Sequence, residues 1–222
     1  MHRRPALLTA VALTAVAALS LSACGSGDDN PKANDKIAGA DTGDASSASA
    51  STSPTASAPD SVGRPKIELP SDITYTFDWP KTGDADKDAV MSDSEQSIKA
   101  VDMAVADQDA LDKGYLFYYE GEAAAGTQEF IQNYVDHKAR TTGAYRFYDP
   151  VVTIGKDGTA ALSYCEDQGR AFIKYIKSGE VKKTPVTKKS YVVYNTSLKK
   201  NKQGVWVIQK IISQSGSAKC QP

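Results

Sequence analysis

The hydrophobic and polar positions divide the 222-residue chain into three zones, and the first is an apolar segment. Ala6 to Leu19 follows a short cationic lead and is interrupted only by Thr9 and Thr14. Its length fits the core of an export signal, roughly 7–15 residues. A membrane-spanning helix needs about 20 apolar residues. The pattern therefore predicts a signal peptide over residues 1–23.

The second zone, residues 24–70, consists mainly of Gly, Ser, Ala, Asp, Thr and Pro. Ile37 and Val62 are among its few large apolar side chains. Because such a segment cannot bury a core, it is predicted to be a disordered tether. A flexible chain of this length has a root-mean-square reach of about 35–40 Å. Residues 71–222 remain for one globular domain, which is long enough for a sizeable core.

The first part of the third zone has helical spacing. Between Asp84 and Leu111 apolar side chains recur three and four positions apart, and aspartates crowd the start, where the helix dipole favours negative charge. We expect this helix to end at Gly114, with a short helical segment in "YLFYYEGE" behind it. A further helix is predicted from Gly126, with Thr127 as its N-cap. Its apolar face, expected to pack on a sheet, consists of Phe130, Ile131, Tyr134 and Val135.

After Gly143 the pattern becomes extended. Turn residues at 155–158, 178–179 and 201–204 separate runs rich in aromatic and β-branched side chains. These runs are "YRFYDPVVTI", "TAALSYC", "RAFIKYI", "KKSYVVYNTSL" and "VWVIQKIIS". Consecutive hairpins predict a meandering antiparallel sheet of four to six strands. Helices first and strands afterwards predict an α+β fold with the helices on one face of that sheet.

The residues behind the apolar segment suggest how the chain is anchored. Leu21-Ser22-Ala23-Cys24 resembles the lipobox of bacterial lipoproteins. The resemblance implies that Cys24 carries a diacylglycerol and becomes the mature N-terminus, which places the protein on the extracellular face of the cell membrane. Two acyl chains anchor a protein firmly, whereas one binds only marginally. The alternative is a secreted protein with an incidental cysteine near its cleavage site.

Two cysteines remain in the globular part, Cys165 and Cys220. An even number left after lipidation of Cys24, in an exported chain, favours a disulfide between them. Free buried thiols are the alternative. With one histidine in the mature chain and these two cysteines paired, too few ligands remain for a metal site. No cofactor is expected, since the chain has neither a phosphate-binding glycine loop nor a G-x-S-x-G motif.

Charge is uneven along the globular part. Residues 71–137 hold 15 acids and 4 lysines, and residues 165–222 hold 12 basic residues and 3 acids. The acidic helices can compensate a basic sheet, or both can face water. Alternatively, the lysines of "VKKTPVTKKSY" and "LKKNKQG" form a patch for a wall polymer or lipid headgroups. Nucleic acid is not an expected partner, because the compartment is wrong and the lysines lie at strand ends and turns.

The order of helices and strands resembles the NTF2-like (SnoaL-like) cone, a curved antiparallel sheet wrapped around N-terminal helices. It also fits a cystatin-like sheet. In addition, "TGAYRFYDP", "SYCEDQ", "GVWVI" and "GSAKC" resemble a family of uncharacterised actinobacterial lipoproteins. That resemblance implies a Cys165–Cys220 disulfide and brings no activity with it. NTF2-like domains often dimerise through the outer sheet face, so a homodimer is a further expectation.

NTF2-like enzymes place an acid/base pair and often a tyrosine inside the cone, where burial tunes the pKa values. The candidates here are His137, Tyr118 and Glu166. His137 lies at the edge of an apolar helix face near Asn133, where a histidine is usually structural. Glu166 is followed by Asp167, and the pair could equally form a turn or a salt bridge. The tyrosines numerous enough to line a pocket or pack a core are Tyr118, Tyr119, Tyr134, Tyr145, Tyr148 and Tyr164.

These observations predict a membrane-anchored extracellular lipoprotein that binds a partner or a small ligand and is not an enzyme. An envelope protein, a wall polymer and a small molecule are all candidate partners. A SnoaL-like isomerase or hydrolase acting on a small exported metabolite is the first alternative. A scaffold for cell-envelope assembly is the second.

Overall fold

The computed structural model of the protein describes residues 62–222. In this part of the chain three helices pack on one six-stranded sheet, so the predicted α+β fold class is confirmed. The predicted signal segment, Cys24 and most of the predicted tether lie outside the described residues. The elements in chain order are β1 (Ile73–Phe77), α1 (Ala85–Asp107), α2 (Lys113–Leu116), α3 (Gly121–Asp136), β2 (Ala139–Ile154), β3 (Thr159–Tyr175), β4 (Val181–Lys182), β5 (Tyr191–Lys200) and β6 (Trp206–Ser215).

The strands lie in the spatial order β1-β2-β3-β5-β6, and β4 pairs with β3 beside this path. The neighbours from β2 to β6 are antiparallel, as predicted. The sheet is not wholly antiparallel, however, because β1, which the pattern did not predict, pairs parallel with β2. Asp72 fixes the start of β1, since its carboxylate accepts from Arg140 and Lys174 at 2.8 Å each.

Strands β2 and β3 are longer than predicted. The first begins at Ala139, ahead of Gly143, which lies inside the strand. Glycine is required there because its φ is +100° and a Cβ would lie 2.1 Å from the carbonyl oxygen of Arg170 in β3. The predicted strands "TAALSYC" and "RAFIKYI" are one strand, since β3 continues through Thr159–Tyr175, paired with β2 along most of its length and with β5 as far as Asp167.

The predicted helix boundaries need two corrections. Helix α1 begins at the Asp84 cap as expected, but it ends at Gln108, whose left-handed backbone has φ 58°. The Gln108 amide donates to the carbonyls of Val105 and Ala139 and holds this end in place. Gly114 therefore lies within α2 instead of ending α1.

Helix α3 begins at Gly121, so Thr127 is a buried helical residue and not an N-cap. The chain is positioned for this earlier start because the Glu120 N–H donates to the Ile208 carbonyl of β6 at 3.0 Å. Alanines then favour helix up to Gly126, whose cost of about 1 kcal/mol inside a helix is tolerated. Among residues 62–222, no helix has the length and apolar character needed to cross a bilayer.

Packing of the helices against the sheet forms the core. Helix α1 packs against β2, and α3 packs against β6. Register shifts interrupt the β2–β3 and β5–β6 pairings, and such bulges bend a sheet and increase its twist. The sheet therefore curves around the helices and stays open between β1 and β6, which are the two ends of its path.

Contacts with this core begin ahead of Ser71, the start expected from composition for the globular domain. Val62 and Ile67 pack against the core, and the Arg64 guanidinium lies 2.8 Å from the Asp93 carboxylate. Asp93 is 2% exposed and also accepts from the Trp206 backbone N–H at 2.9 Å. The segment before β1 is thus tied to both α1 and β6.

A disulfide joins Cys165 of β3 to Cys220 near the C-terminus, with 5.4 Å between the Cα atoms. This is the pairing that the sequence favoured. Both cysteines are buried in a small cluster with Val193, apart from the main core. Because side chains alternate along a strand, Cys165 lies on the outer face of the sheet and Glu166 on the inner face.

Candidate functional site

A cavity of about 210 Å³ lies between the helices and the inner face of the sheet. Every layer of the fold contributes to its wall, from α1 and α3 to strands β2, β3, β5 and β6. Its polar lining is dominated by two carboxylates, Asp102 and Glu166. The tyrosines that line it are Tyr119, Tyr134, Tyr145, Tyr164 and Tyr194. This is the candidate site.

Glu166 reaches the cavity from the middle of β3 and is only 5% exposed. Its carboxylate accepts from the Gln168 side-chain amide at 2.9 Å and from the Tyr194 hydroxyl. Burial raises the pKa of Glu166 to about 7, although these two hydrogen bonds oppose the rise. Near neutral pH this carboxyl group is therefore distributed between its protonated and ionised forms.

Asp102 enters the cavity from α1 and is half-buried. It accepts from the Tyr75 hydroxyl at 2.5 Å and from the Thr141 hydroxyl at 2.8 Å. Burial raises the pKa of Asp102 above its usual value, and the two hydrogen bonds partly offset this rise. Both carboxylates are thus held by neutral hydrogen-bond donors.

The tyrosines form a largely aromatic wall. The rings of Tyr164 and Tyr194 stack with centroids 5.1 Å apart, and the Phe147 ring lies 6.1 Å from that of Tyr164. Burial raises the pKa values of Tyr119 and Tyr134 to about 12, and those of Tyr145, Tyr164 and Tyr194 well above their usual range. Their hydroxyls therefore stay protonated and act as donors at physiological pH.

No cationic side chain lines this cavity among residues 62–222. Within the same range no group of three or more His, Cys, Asp or Glu side chains could hold a metal ion. The site consequently combines negative charge, aromatic surface and neutral hydrogen-bonding groups. Its chemistry allows hydrogen bonding, recognition of positive charge and proton exchange at Glu166.

The structure separates the three residues that the sequence singled out. Glu166 lines the cavity, whereas Tyr118 is fully buried in the core beside it and does not. His137 is exposed at the end of α3, with its Nδ1 2.8 Å from the backbone carbonyl of Asn133. It lies in a neighbouring groove of about 360 Å³, which shares Phe130 and Tyr134 with the cavity.

The other five tyrosines noted in the sequence divide in the same way. Four of these five line the cavity, and Tyr148 lies on the outer face. There its hydroxyl donates to the Cys220 carbonyl, and its ring lies 4.6 Å from the Arg146 guanidinium. Asp167 also lies away from the cavity, where its carboxylate accepts from the Gly169 N–H at 2.7 Å.

Sequence reasoning missed Asp102, Tyr194 and Tyr75. A signal for Asp102 was present, since it lies four residues after Ile98 on the apolar face of α1. An acid at such a position has to face either a polar cavity or a buried partner. The position of Tyr194 opposite Tyr164 depends on the β3–β5 register, which the sequence does not fix.

Several lysines of the basic half pair with acids from the helical half. Lys200 lies 2.7 Å from Asp86, and Lys210 lies 3.4 Å from Glu122. These contacts agree with mutual compensation of the two charge excesses. The lysines between β4 and β5 are exposed.

No family model and no curated protein sequence matches this chain. Solved structures of similar architecture exist. A ketosteroid isomerase-like protein from Erwinia carotovora atroseptica SCRI1043 is 13% identical and aligns over 60% of this chain and 98% of its own, with a TM-score of 0.42. ActVI-ORFA from Streptomyces coelicolor is 11% identical over 58% of this chain and 96% of its own, with a TM-score of 0.40.

The association domain of C. elegans CaMKII is 16% identical over 59% of this chain and 96% of its own, with a TM-score of 0.37. These likenesses do not assign an activity.

Proposed function

We propose that this protein is a membrane-anchored extracellular binding module that holds a small molecule in its interior cavity without converting it. The observation that carries the proposal is a cavity of about 210 Å³ that is lined by two carboxylates and five tyrosines. Ligand sites are concave, mostly apolar and equipped with a few positioned polar groups. The volume is below the roughly 300 Å³ at which pockets for drug-sized ligands begin, so the ligand is small.

The polar groups of the cavity are positioned in advance. Asp102 is held by Tyr75 and Thr141, and Glu166 is held by Gln168 and Tyr194. Groups fixed in this way lose little conformational entropy when a ligand arrives, which favours affinity. This pre-organisation supports binding as the function.

The location outside the cell is supported by two observations. The Leu21-Ser22-Ala23-Cys24 motif resembles a lipobox, although it lies outside the described residues. The Cys165–Cys220 disulfide fits the same setting, because structural disulfides persist in oxidising compartments. Cys24 would carry the lipid, and residues between it and the folded part would serve as the tether.

Acid/base catalysis on a small exported metabolite is the second candidate function. It is favoured by one observation, the pKa of Glu166 near 7, because a group with such a pKa exchanges protons efficiently at neutral pH. Glu166 would then be the acid or base, with Asp102 and tyrosine hydroxyls around the reacting centre. A scaffold for envelope assembly is the third candidate, and it would not need the cavity.

The direct test is a ligand screen by NMR on the full chain and on a matched pair of variants. Ile211→Trp fills the cavity, since Ile211 lines it, whereas Ile212→Trp is the control at the adjacent position, where Ile212 is 55% exposed. Thermal unfolding would first establish that both variants fold. We expect compounds that bind the wild type and Ile212→Trp but not Ile211→Trp.

Conversion of the compounds is followed in the same samples. A bound compound that is recovered unchanged agrees with the binding module. Product formation that Glu166→Gln abolishes while affinity is kept would replace the binding module with the enzyme. Binding that Ile211→Trp does not weaken, or no binding at all, would contradict the assignment of function to this cavity.

A further inference from the structure

The geometry points to a small organic cation, an amine or quaternary ammonium compound, as the ligand of the interior cavity. This inference rests on the proposed binding function and specifies its ligand class. It follows from three features of the wall: its charge, its aromatic surface and its size.

Charge is the first feature. Asp102 and Glu166 both face the cavity, and no lysine, arginine or histidine of residues 62–222 lines it. Carboxylates removed from water are normally paired with a cation, because an unpaired buried charge is costly. The donors that reach these two groups are neutral hydroxyls and an amide. A cationic ligand would supply the missing positive charge.

Aromatic surface is the second feature. Rings from α3, β2, β3 and β5 surround the same space, and they include Tyr134, Tyr145, Tyr164 and Tyr194. A cation within about 6 Å of a ring centroid is attracted to the face of that ring, most strongly where water is excluded. Recognition of quaternary ammonium groups by aromatic cages uses this attraction. Carboxylates and rings therefore favour the same class of ligand.

Size and the remaining groups are the third feature. A volume of about 210 Å³ is below the roughly 300 Å³ at which pockets for drug-sized ligands begin, which suits a compact ligand. Thr141 and Gln168 also line the cavity, and their side chains can form hydrogen bonds with a hydroxyl group of the ligand. An anionic ligand would meet two carboxylates without a compensating cation, so this wall disfavours it.

The test compares choline with 3,3-dimethylbutan-1-ol, a neutral molecule of nearly the same shape in which carbon replaces the charged nitrogen. Isothermal titration of the full chain at pH 8 measures both affinities. We expect choline to bind about tenfold or more tightly than the alcohol. The comparison uses the unaltered protein, so it does not depend on the folding of any variant.

Two variants test whether the preference for choline depends on the charge of Glu166. Glu166→Gln removes the negative charge at nearly constant shape, and Asp167→Asn makes the same change at the neighbouring carboxylate, which lies outside the cavity. We expect Glu166→Gln to weaken choline binding about tenfold and Asp167→Asn to leave it within about twofold. Asp102→Asn provides a second charge removal if Glu166→Gln does not fold.

The possible outcomes distinguish a failure of the cationic ligand class from a failure of the proposed binding function. Equal binding of choline and the alcohol, or binding of neutral compounds alone to the wild type, would overturn the cationic ligand and leave the binding module intact. Choline binding that neither Glu166→Gln nor Asp102→Asn weakens would also overturn it. If no compound of any charge bound in the screen, the proposed function and the inference would fail together.

Discussion

Cys165 and Glu166 are consecutive residues of β3 whose side chains lie on opposite faces of the sheet. The sulfur of Cys165 is buried in the disulfide to Cys220, and the carboxyl group of Glu166 lines the interior cavity. The disulfide on the outer face therefore restrains the backbone next to Glu166, whose carboxylate lies on the inner face. The covalent link and the candidate site are separated by a single peptide bond.

Removing the disulfide should destabilise the fold. The bond closes a loop with a sequence separation of 55 residues, so Cys165→Ala combined with Cys220→Ala is expected to lower the free energy of unfolding by about 2–4 kcal/mol. Urea unfolding measures the change. Reductant should lower the wild-type midpoint and leave that of the double variant unchanged. An unaffected wild type would show that the two thiols are not paired.

The pKa of Glu166 predicts how stability depends on pH. The ordinary value is 4.5, and burial raises the pKa to about 7 in the folded state. The folded protein therefore holds this proton more tightly than the unfolded chain. Protonation of Glu166 therefore contributes roughly 3 kcal/mol to the free energy of unfolding. This contribution is fully present below about pH 4.5 and is lost as the pH rises through about 7. The pKa of Asp102 is also raised, so Asp102 acts in the same direction.

Urea unfolding between pH 4.5 and 8 tests this relation. Glu166→Gln should flatten the fall in stability over that range and leave only the part of the slope that is due to Asp102. The Asp167→Asn control should retain the wild-type slope. An identical pH profile for the wild type and Glu166→Gln would mean that Glu166 is not held with a raised pKa.

Asp93 is expected to be the most sensitive acid outside the cavity. It is 2% exposed, pairs with Arg64 and accepts from the Trp206 N–H. Asp93→Ala leaves both donors without this partner and should cost about 3–5 kcal/mol by urea unfolding. Asp86→Ala breaks a surface pair with Lys200 and should cost under about 1 kcal/mol. Similar losses in both variants would contradict the role of Asp93 in tying the first residues of the domain to the core.

The proposed lipid anchor is tested at Cys24. Because only the sulfur can form the thioether, Cys24→Ser should release the protein into the medium or leave an uncleaved precursor. Mass spectrometry of the wild type should find a chain that begins at Cys24 and carries acyl mass. A processed, membrane-bound Cys24→Ser protein would remove the anchor from the account.

Much of the fold could be predicted from the local pattern. The aspartates at the start of α1, its apolar spacing and the turn at 155–158 are short-range signals, and the structure agrees with each of them. The continuity of β3 was not predictable in this way. Its polar centre at 167–169 resembles a turn, but the residues on both sides of it pair with β2 across a register shift, and this pairing keeps the strand continuous.

The candidate site was predictable in part. Glu166 was among the candidate residues that the sequence suggested. Whether Glu166 or Asp167 faces the cavity, however, depends on which side of β3 the helices cover. Asp102 was visible as an acid on an apolar helix face, yet its hydrogen bonds to Tyr75 and Thr141 join residues 27 and 39 positions away. Such contacts arise from tertiary packing, and β1, which brings Tyr75 there, left no clear pattern of its own.

Binding of a small cation against Glu166 should change the titration of this carboxyl group. NMR titration of carbon-13-labelled glutamate side chains, with and without choline, measures the change. We expect a pKa of about 7 for Glu166 in the free protein, and a decrease of about one pH unit or more on binding, because a nearby cation stabilises the ionised carboxylate. A Glu166 pKa that choline leaves unchanged at saturating concentration would show that the cavity does not hold a cation beside Glu166.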